Sequence, residues 1–330
     1  MRKAVSAVLV ALLVAGCGAS PRSVEYNQVK VSYLTSFSTF GRDAYVYVAQ
    51  EKGFFEQVGL DVTITPGTGS VDVLKLVAGG RADFGVADFT ATAITVAKEK
   101  LPVTVVAAIQ QRSLAAIVAL EGGGISRPAD LVGKKIADQP GSTNQVMFGV
   151  YARAAGIDPA RVQFVPSAPP ALPQLLAAGQ VDGIGQFVVG KPLIEAAARG
   201  RKAVVLPYGD LVPDLYGNAL VTSKEIAANR AALVPRFTGA LLKGLRYSIE
   251  HPDEVGAILK KYQPTQDAGV ASAEVGLMAP YVRPSGFSGP IGELTEPRVE
   301  KVVRTLVEAG AVPDGSLRAG DLVSFGLAPK

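Results

Sequence analysis

The chain has 330 residues, 48% of them apolar and 19% charged, which is enough to build two domains of ordinary size and too apolar to stay disordered. Its 33 Lys and Arg against 29 Asp and Glu include no block of like charge, so there is no electrostatic footprint for nucleic acid. One Cys excludes a disulfide framework or a thiolate metal cluster, and one His, His251, excludes most triads and His-based zinc sites; no metal and no cofactor is called for.

In chain order, Arg2 and Lys3 precede an apolar run, Ala4 to Ala15, that is shorter than the roughly twenty residues a bilayer core needs. Residues 1–16 therefore read as a secretory signal. They end in Val14-Ala15-Gly16-Cys17, which resembles a bacterial lipobox, cut before Cys17 and lipidated on its thiol. An ordinary signal with small residues before a Cys is the plainer alternative. Because Cys17 is the chain's one Cys and stands where the motif wants it, lipidation is the expectation, and two or more acyl chains anchor stably where one does not. Residues 17–28 read as the lipidated Cys and a small, polar tether, ten flexible residues of which span roughly 17 Å. The mature chain is thus expected outside the cytoplasm, periplasmic or on the outer face of the cell membrane, held by its lipid.

From Val29, short β-branched runs alternate with amphipathic stretches: strand Val29–Leu34, helix Asp43–Val58 broken near Gly53, strand Leu60–Thr65, helix Val71–Ala78, strands Asp83–Val86 and Val103–Ile109. The pattern resumes with strand Lys134–Ala137, helix Asn144–Ala155, strand Val162–Val165, helix Leu172–Ala178 and strand Gly183–Gln186. Such alternation predicts parallel α/β layers. Two stretches also resemble each other. Gly59-Leu60-Asp61, a strand to Pro66, a helix and Gly80-Arg81-Ala82-Asp83 are matched by Gly156-Ile157-Asp158, a strand to Pro166, a helix and Gly179-Gln180-Val181-Asp182. Many βαβ units share such punctuation, but order, spacing and the Gly-x-x-Asp signature together favour two lobes of like architecture.

After Gly217 come a last strand, Asn218–Thr222, and helices over Lys224–Glu250, Asp253–Tyr262 and Glu296–Ala309, the last with Thr295 as N-cap. With no new strand-rich unit to cover, these helices must return to a lobe already built. The expected plan is lobe one over 29–112, lobe two over 113–222 and a helical return to lobe one over 223–330. Two crossings make a hinge, and a hinge between α/β lobes makes a cleft.

Several segments now carry a family resemblance. Ala44-Tyr45-Val46-Tyr47-Val48-Ala49-Gln50-Glu51-Lys52-Gly53-Phe54-Phe55 followed by Val58-Gly59-Leu60-Asp61-Val62 resembles the opening of substrate-binding proteins of ABC importers. The particular family serves nitrate, sulfonates, taurine and pyrimidine precursors of thiamine. Leu131–Ile136 resembles its start of lobe two, and Leu215-Tyr216-Gly217-Asn218 and Gly244–Pro252 its return segment. The resemblance implies a two-lobed, periplasmic-binding-protein-like fold of the second type. Each lobe is then a mainly parallel sheet flanked by helices, and two crossover hinge strands join the lobes. It also implies a monomer that closes on a small-molecule ligand and delivers it to a permease driven by a cytoplasmic ATPase.

Ligands of open α/β sheets bind beyond the carboxyl ends of the strands. That rule selects Thr35–Asp43, with Phe37, Ser38, Phe40 and Asp43, and Tyr45 just beyond. It also selects Gly67–Ser70, with Gly69 and Ser70, then Asp88-Phe89-Thr90, then Gly141-Ser142-Thr143-Asn144, then Gln186-Phe187. Arg112 lies at the first crossing, and Tyr208 and Tyr216 near the return. The two Gly/Ser/Thr turns open helices whose N–H groups favour an anion or acceptor atom, although plain N-capping by Ser70 and by Ser142 or Thr143 accounts for them equally. Neither turn has the Lys of a P-loop. Arg112 either clamps a carboxylate or sulfonate or is solvated at the lobe boundary. Arg42 and Asp43 pair with each other or Asp43 caps its helix, and Asp88 is a candidate N-cap.

These loops are short of Lys and rich in rings, which suits a flat heterocycle better than a small inorganic anion. A pyrimidine-type thiamine precursor is therefore favoured, with organosulfonate, taurine or nitrate as alternatives, and a ligand-sensing module as a further one. Fungal synthases of the thiamine pyrimidine resemble the first lobe but use an active-site His and a Cys-rich stretch, which this chain lacks, so turnover is not expected.

Overall fold

The computed structural model describes residues 28–327; the signal segment, Cys17 and all of the tether but its last residue lie outside the described residues. The first part of the chain forms β1 (Val29–Leu34), β2 (Phe37–Ser38), α1 (Tyr45–Glu51), β3 (Leu60–Thr65), β4 (Gly67–Thr68), α2 (Ser70–Ala78), β5 (Phe84–Asp88), α3 (Phe89–Glu99) and β6 (Val103–Ala108). Then come β7 (Ala115–Leu120), β8 (Lys135–Asp138), α4 (Thr143–Ala154), β9 (Gln163–Pro166), α5 (Leu172–Ala177), β10 (Gly183–Phe187), α6 (Lys191–Ala197) and β11 (Ala203–Pro207). The remainder is β12 (Asn218–Ser223), α7 (Lys224–Asn229), α8 (Leu233–Glu250), α9 (Pro252–Tyr262), α10 (Ala268–Val282), α11 (Glu296–Glu308) and α12 (Ala319–Leu322).

Two five-stranded sheets result, ordered β3-β1-β5-β12-β6 and β9-β8-β10-β7-β11. Both follow one plan: three parallel strands, a fourth antiparallel to them, and an outer strand antiparallel to the fourth. The near-repeat in the sequence is the visible trace of this plan. Asp83 Oδ2 accepts from the backbone N–H of Ser32 on β1, and Asp182 Oδ2 accepts from that of Lys135 on β8, both at 2.8 Å. Gly80 and Gly179, at φ 66° and 69°, provide the left-handed turn before each of these Asp residues.

The strand Asn218–Ser223, expected to close the second lobe, instead lies inside the first sheet between β5 and β6. The return crossing therefore precedes Asn218 rather than falling near Ser223. Where hinge strands are expected, the crossings are irregular segments bonded to one another. Ile109 N–H donates to Asn218 O, Gly217 N–H to Gln110 O, and Ser113 N–H to Leu215 O, at 2.8, 3.1 and 3.0 Å. A third element joins them, because Gln111 N–H donates to Tyr281 O of α10 at 2.7 Å.

Other boundaries differ for local reasons. The helix expected over Asp43–Val58 is α1 followed by a separate 3-10 turn at Glu56–Val58, interrupted at Gly53 with φ 69°. The helix expected over Lys224–Glu250 is two, α7 capped by Ser223 and α8 starting at Leu233. Thr295 stands at the N-cap of α11 without a capping bond. The strands β7 and β11 and the helices α3, α6 and α10 have no clear periodic signal; β7 is buried along its whole length, so it has no alternation to read.

The return helices close the first lobe. Phe237 of α8 stacks on Phe84 of β5 and Phe55, with ring centroids 4.1 and 5.3 Å apart. Gly244 lets α8 settle on α1, since a Cβ there would come within 2.3 Å of Tyr45 O. Gly244→Ala is expected to cost about 1–3 kcal/mol through overpacking, despite the gain in helix propensity, and to lower the thermal midpoint in a calorimetric scan.

Candidate functional site

The loops at the carboxyl ends of the two sheets meet in a seam. Ser70, first residue of α2, places its hydroxyl 2.8 Å from that of Thr143, first residue of α4 in the other lobe. Ser70 Oγ also accepts from Asp88 N–H at 3.0 Å, at the start of α3. Three helix N-termini thus converge. Gly69, at φ 129°, faces Gly141, at φ 76°, and Val71 N–H donates to Gly141 O at 3.4 Å. Beside them Phe37 meets Phe187 edge-on across the lobes, with centroids 6.2 Å apart.

Charge in the seam is concentrated and buried. The buried charged side chains among the described residues are Arg42, Asp43, Asp88, Asp138 and Glu274. The Arg42 guanidinium lies between two rings, 4.7 Å from the centroid of Phe40 and 4.2 Å from that of Phe187 in the other lobe. It donates to Phe37 O at 3.0 Å, and its Nε lies 3.7 Å from Asp43 Oδ2. Arg42 and Asp43 therefore do pair, and Asp43 Oδ2 also caps the local 3-10 turn by accepting from Phe40 N–H at 3.2 Å. Glu274, from α10, accepts from Gly41 N–H at 2.7 Å.

Burial raises each of these carboxyls. Asp43 rises to about 6 against the opposing pull of Arg42 and the Phe40 N–H, and Glu274 to about 7 against Arg42 and the Gly41 N–H. Asp88 rises to about 7 although it caps α3, its Oδ1 accepting from Ala91 N–H at 2.9 Å. Asp138 also rises to about 7, against hydrogen bonds from the Ser142 hydroxyl and the Gln139 N–H. The helix N-termini thus face carboxyl groups that the chain itself supplies.

Four seam atoms have no hydrogen-bond partner among the described residues: Arg42 Nε, Asp43 Oδ1, Thr90 Oγ1 and Asn218 Oδ1. Asn218 is anchored on both sides of that free oxygen. Its N–H donates to Gln110 Oε1 at 2.7 Å, and its side-chain amide donates to Ser36 Oγ at 3.1 Å. Buried polar atoms are nearly always paired; Thr39 Oγ1, the Tyr151 hydroxyl and Thr238 Oγ1 are likewise without a partner among the described residues.

The seam thus gathers Phe37, Phe40, Asp43, Gly69, Ser70, Asp88, Gly141, Ser142, Thr143 and Phe187. Ser38, at φ 56°, stands half-buried at its outer edge. The other candidates read from the sequence have these partners within the chain. The Tyr45 hydroxyl pairs with that of Tyr33 at 3.2 Å in the first-lobe interior. Tyr208 stacks on Tyr151 at 4.3 Å and donates to Asn144 O at 3.1 Å, while Asn144 Oδ1 accepts from Ala116 N–H at 3.1 Å. Phe89 packs on Tyr216, which also carries the Arg298 guanidinium 3.8 Å above its ring. Gln186 Oε1 accepts from the neighbouring Phe187 N–H at 2.9 Å. Arg112 is exposed, over Tyr281 at 5.8 Å, rather than set as a clamp in the seam. Ser142 caps α4 by accepting from Gln145 N–H, whereas Ser70 bridges the lobes and Gly69 takes the N-cap of α2.

Ser36, Asp138, Asn218 and Glu274 are not among the ligand candidates that the sequence singles out. Asp138 ends β8 immediately before the Gly-rich turn, so the strand-end rule reaches it; Glu274 lies on a helix without a legible pattern. A larger groove of about 710 Å³ is lined only by residues between Glu296 and Asp321 and has no second-lobe wall.

Because the four carboxyls keep their protons to about 6 or 7 in the folded state whereas the unfolded chain releases them near pH 4, stability from this source is fully present below about pH 4 and is lost as pH rises through about 7. The thermal midpoint is expected to fall by several °C from about pH 5 to about pH 8, and Asp138→Asn to flatten that fall. A midpoint that climbs over the same range counts against the protonated seam.

Three comparisons bear on this geometry. The family model described as NMT1/THI5 like matches residues 43–255. The formylaminopyrimidine-binding protein of Halalkalibacterium halodurans is 25% identical over 264 residues, covering 78% of this chain and 78% of that protein. A 4-amino-5-hydroxymethyl-2-methylpyrimidine phosphate synthase of Saccharomyces cerevisiae is 32% identical over 108 residues, only 32% of each chain. Among solved structures, the alkanesulfonate-binding protein SsuA from Xanthomonas axonopodis pv. citri bound to MOPS superposes with a TM-score of 0.71 at 16% identity, over 90% of this chain and 99% of that one. That likeness gives the fold, the two-lobed periplasmic-binding type.

Proposed function

Because this chain belongs to the NMT1/THI5-like family, we propose that it is the extracytoplasmic substrate-binding protein of an ABC importer, capturing an uncharged, flat amino-heterocycle of the pyrimidine type between its lobes. The observation that carries the reading is the charge of the seam: one buried guanidinium against four buried carboxyl groups. Helix N-termini that would otherwise attract an anion already face Asp88 and Asp138. Nitrate or a sulfonate entering there meets carboxyl groups that ionise around neutral pH and a cation already paired with Asp43. An aminopyrimidine instead brings N–H donors for the free oxygens of Asn218 and Asp43, ring nitrogens for Arg42 Nε, and a face for Phe40 or Phe187.

The mechanism is capture and release. Lobes open about the paired crossings, cargo enters, and closure joins the polar and aromatic partners of both lobes around it. Only cargo that binds the closed state better than the open one shifts that equilibrium. We also propose that Cys17 carries the lipid that holds the protein at the membrane. Among the described residues no helix is long and apolar enough to cross one. Turnover is not part of the reading: His251 packs on Tyr247 at the α8–α9 junction, with ring centroids 4.4 Å apart.

Thermal-shift and calorimetric titrations test the cargo. The thiamine pyrimidine or its formylamino derivative is expected to raise the midpoint and bind in the micromolar range or tighter, about −8 kcal/mol, while taurine, alkanesulfonates and nitrate leave it unmoved. Asn218→Ala is expected to weaken binding by about tenfold or more. A response to nitrate or a sulfonate alone overturns the reading, as does conversion of the pyrimidine to a new product. For the anchor, Cys17→Ala is expected to move the protein from the membrane to the soluble fraction.

A further inference from the structure

At the outer edge of the seam lies a groove of about 600 Å³ with walls from three parts of the chain. Phe40 and Pro66 come from the first lobe, Pro173, Gln174 and Ala196 from the second, and Thr265 from the segment joining α9 to α10. Phe40 belongs to both groove and seam, since its ring also carries the Arg42 guanidinium. The groove is therefore one ring away from the aromatic slot where Arg42 meets Phe187. Ser38 at its rim is held in the left-handed region at φ 56°, its carbonyl accepting from the Thr35 hydroxyl and its strand pairing with Gly67. Strain of this kind in a non-glycine residue is retained where neighbours over-determine it, commonly at ligand clamps.

The chemistry of the lining is selective. No Lys or Arg contributes to it, and its one charged residue is Asp267, which is engaged in capping α10 by accepting from Val270 N–H at 2.8 Å. What remains is amide from glutamines, hydroxyl from Ser and Thr, and apolar surface from prolines and Phe40. We propose that this groove is an extension subsite. It takes an uncharged, amide-bearing or alkyl substituent carried by the same cargo whose flat head lies in the seam, and it rejects an anionic one. The cargo is then larger than a bare hydroxymethylpyrimidine. This inference rests on the amino-heterocycle reading above and adds to it the size and charge of the tail.

The test is calorimetric titration of the purified protein with four 4-amino-2-methylpyrimidines differing at the 5-position: hydroxymethyl, formylaminomethyl, butanoylaminomethyl and succinylaminomethyl. The butanoyl compound is expected to bind about tenfold more tightly than the hydroxymethyl one, and the succinyl compound, with its terminal carboxylate, to lose that gain. Ala196→Trp, at an exposed helix position on the groove wall, is expected to bring the butanoyl compound down to the affinity of the hydroxymethyl compound while leaving the latter unchanged. Equal binding of all four, or indifference of the butanoyl compound to Ala196→Trp, overturns the subsite alone. Binding of none of the four overturns the cargo reading and the subsite with it.

Discussion

A guanidinium withdrawn from water between two lobes is the constraint around which this structure is arranged. Moving such an ion into a protein interior costs several kcal/mol unless its charge and donors are answered. Arg42 is answered from three directions: Asp43 beside it, the Phe37 carbonyl, and ring faces from both lobes. Glu274 adds a carboxyl from α10, whose backbone also holds the first crossing through Tyr281 O. The local turn, the return helix and the second lobe are thus tied to one charge. That charge sits where the lobes close, so the electrostatics of the fold and of the site are one problem.

The two lobes are variations on a single plan, and the Gly-x-x-Asp signature shows why the repeat survives in the sequence. In each lobe its Asp accepts from the backbone of the neighbouring parallel strand, and its Gly supplies a left-handed turn that few other residues adopt. These are requirements of the backbone, independent of cargo. What differs between the lobes is the fourth strand. The second sheet takes it from β7, just after the outward crossing, and the first takes it from β12, just after the return. Each crossing therefore hands the chain directly into the middle of a sheet. This anchors both ends of the hinge and leaves only the short irregular segments free to bend.

The alternation of strands and helices, the two-lobe plan and the strand-end loops are legible in the sequence because each rests on local chemistry: β-branched runs, Gly turns and Ser, Thr or Asp caps. The strand-end rule picks out loops that do meet across the lobes, yet several side chains within them face inward. Tyr45 and Tyr208 have the composition of ligand-stacking rings but spend their hydroxyls inside their own lobes. An aromatic residue one position past a loop reads alike whether it points to the cleft or to the core. Asn218 and Glu274 escape for the opposite reason. Asn218 reads as the start of a second-lobe strand, and only its pairing beside Asp88 in the first sheet brings it to the seam. Glu274 lies in an Ala- and Gly-rich helix whose faces touch both lobes, so no one-sided apolar stripe marks it.

The unpaired atoms of the seam connect its charge to its motion. A buried polar atom left without a partner costs about 1–3 kcal/mol. Closure around nothing strands Asn218 Oδ1, Asp43 Oδ1, Thr90 Oγ1 and Arg42 Nε together. On the proposed opening of the lobes water answers the same atoms, so the penalty belongs to the empty closed form. A ligand offering donors to the oxygens and an acceptor to the guanidinium removes that penalty only when both lobes surround it. This is the differential affinity that closure on cargo requires. A small anion offers acceptors alone and leaves the oxygens of Asn218 and Asp43 unanswered, so it cannot relieve most of the cost. A flat heterocycle with an amino group carries donors and acceptors along one edge and an apolar face for the rings. On the proposed reading, the pattern of unmet bonds thus selects the kind of cargo and also supplies the difference in free energy by which that cargo shuts the lobes.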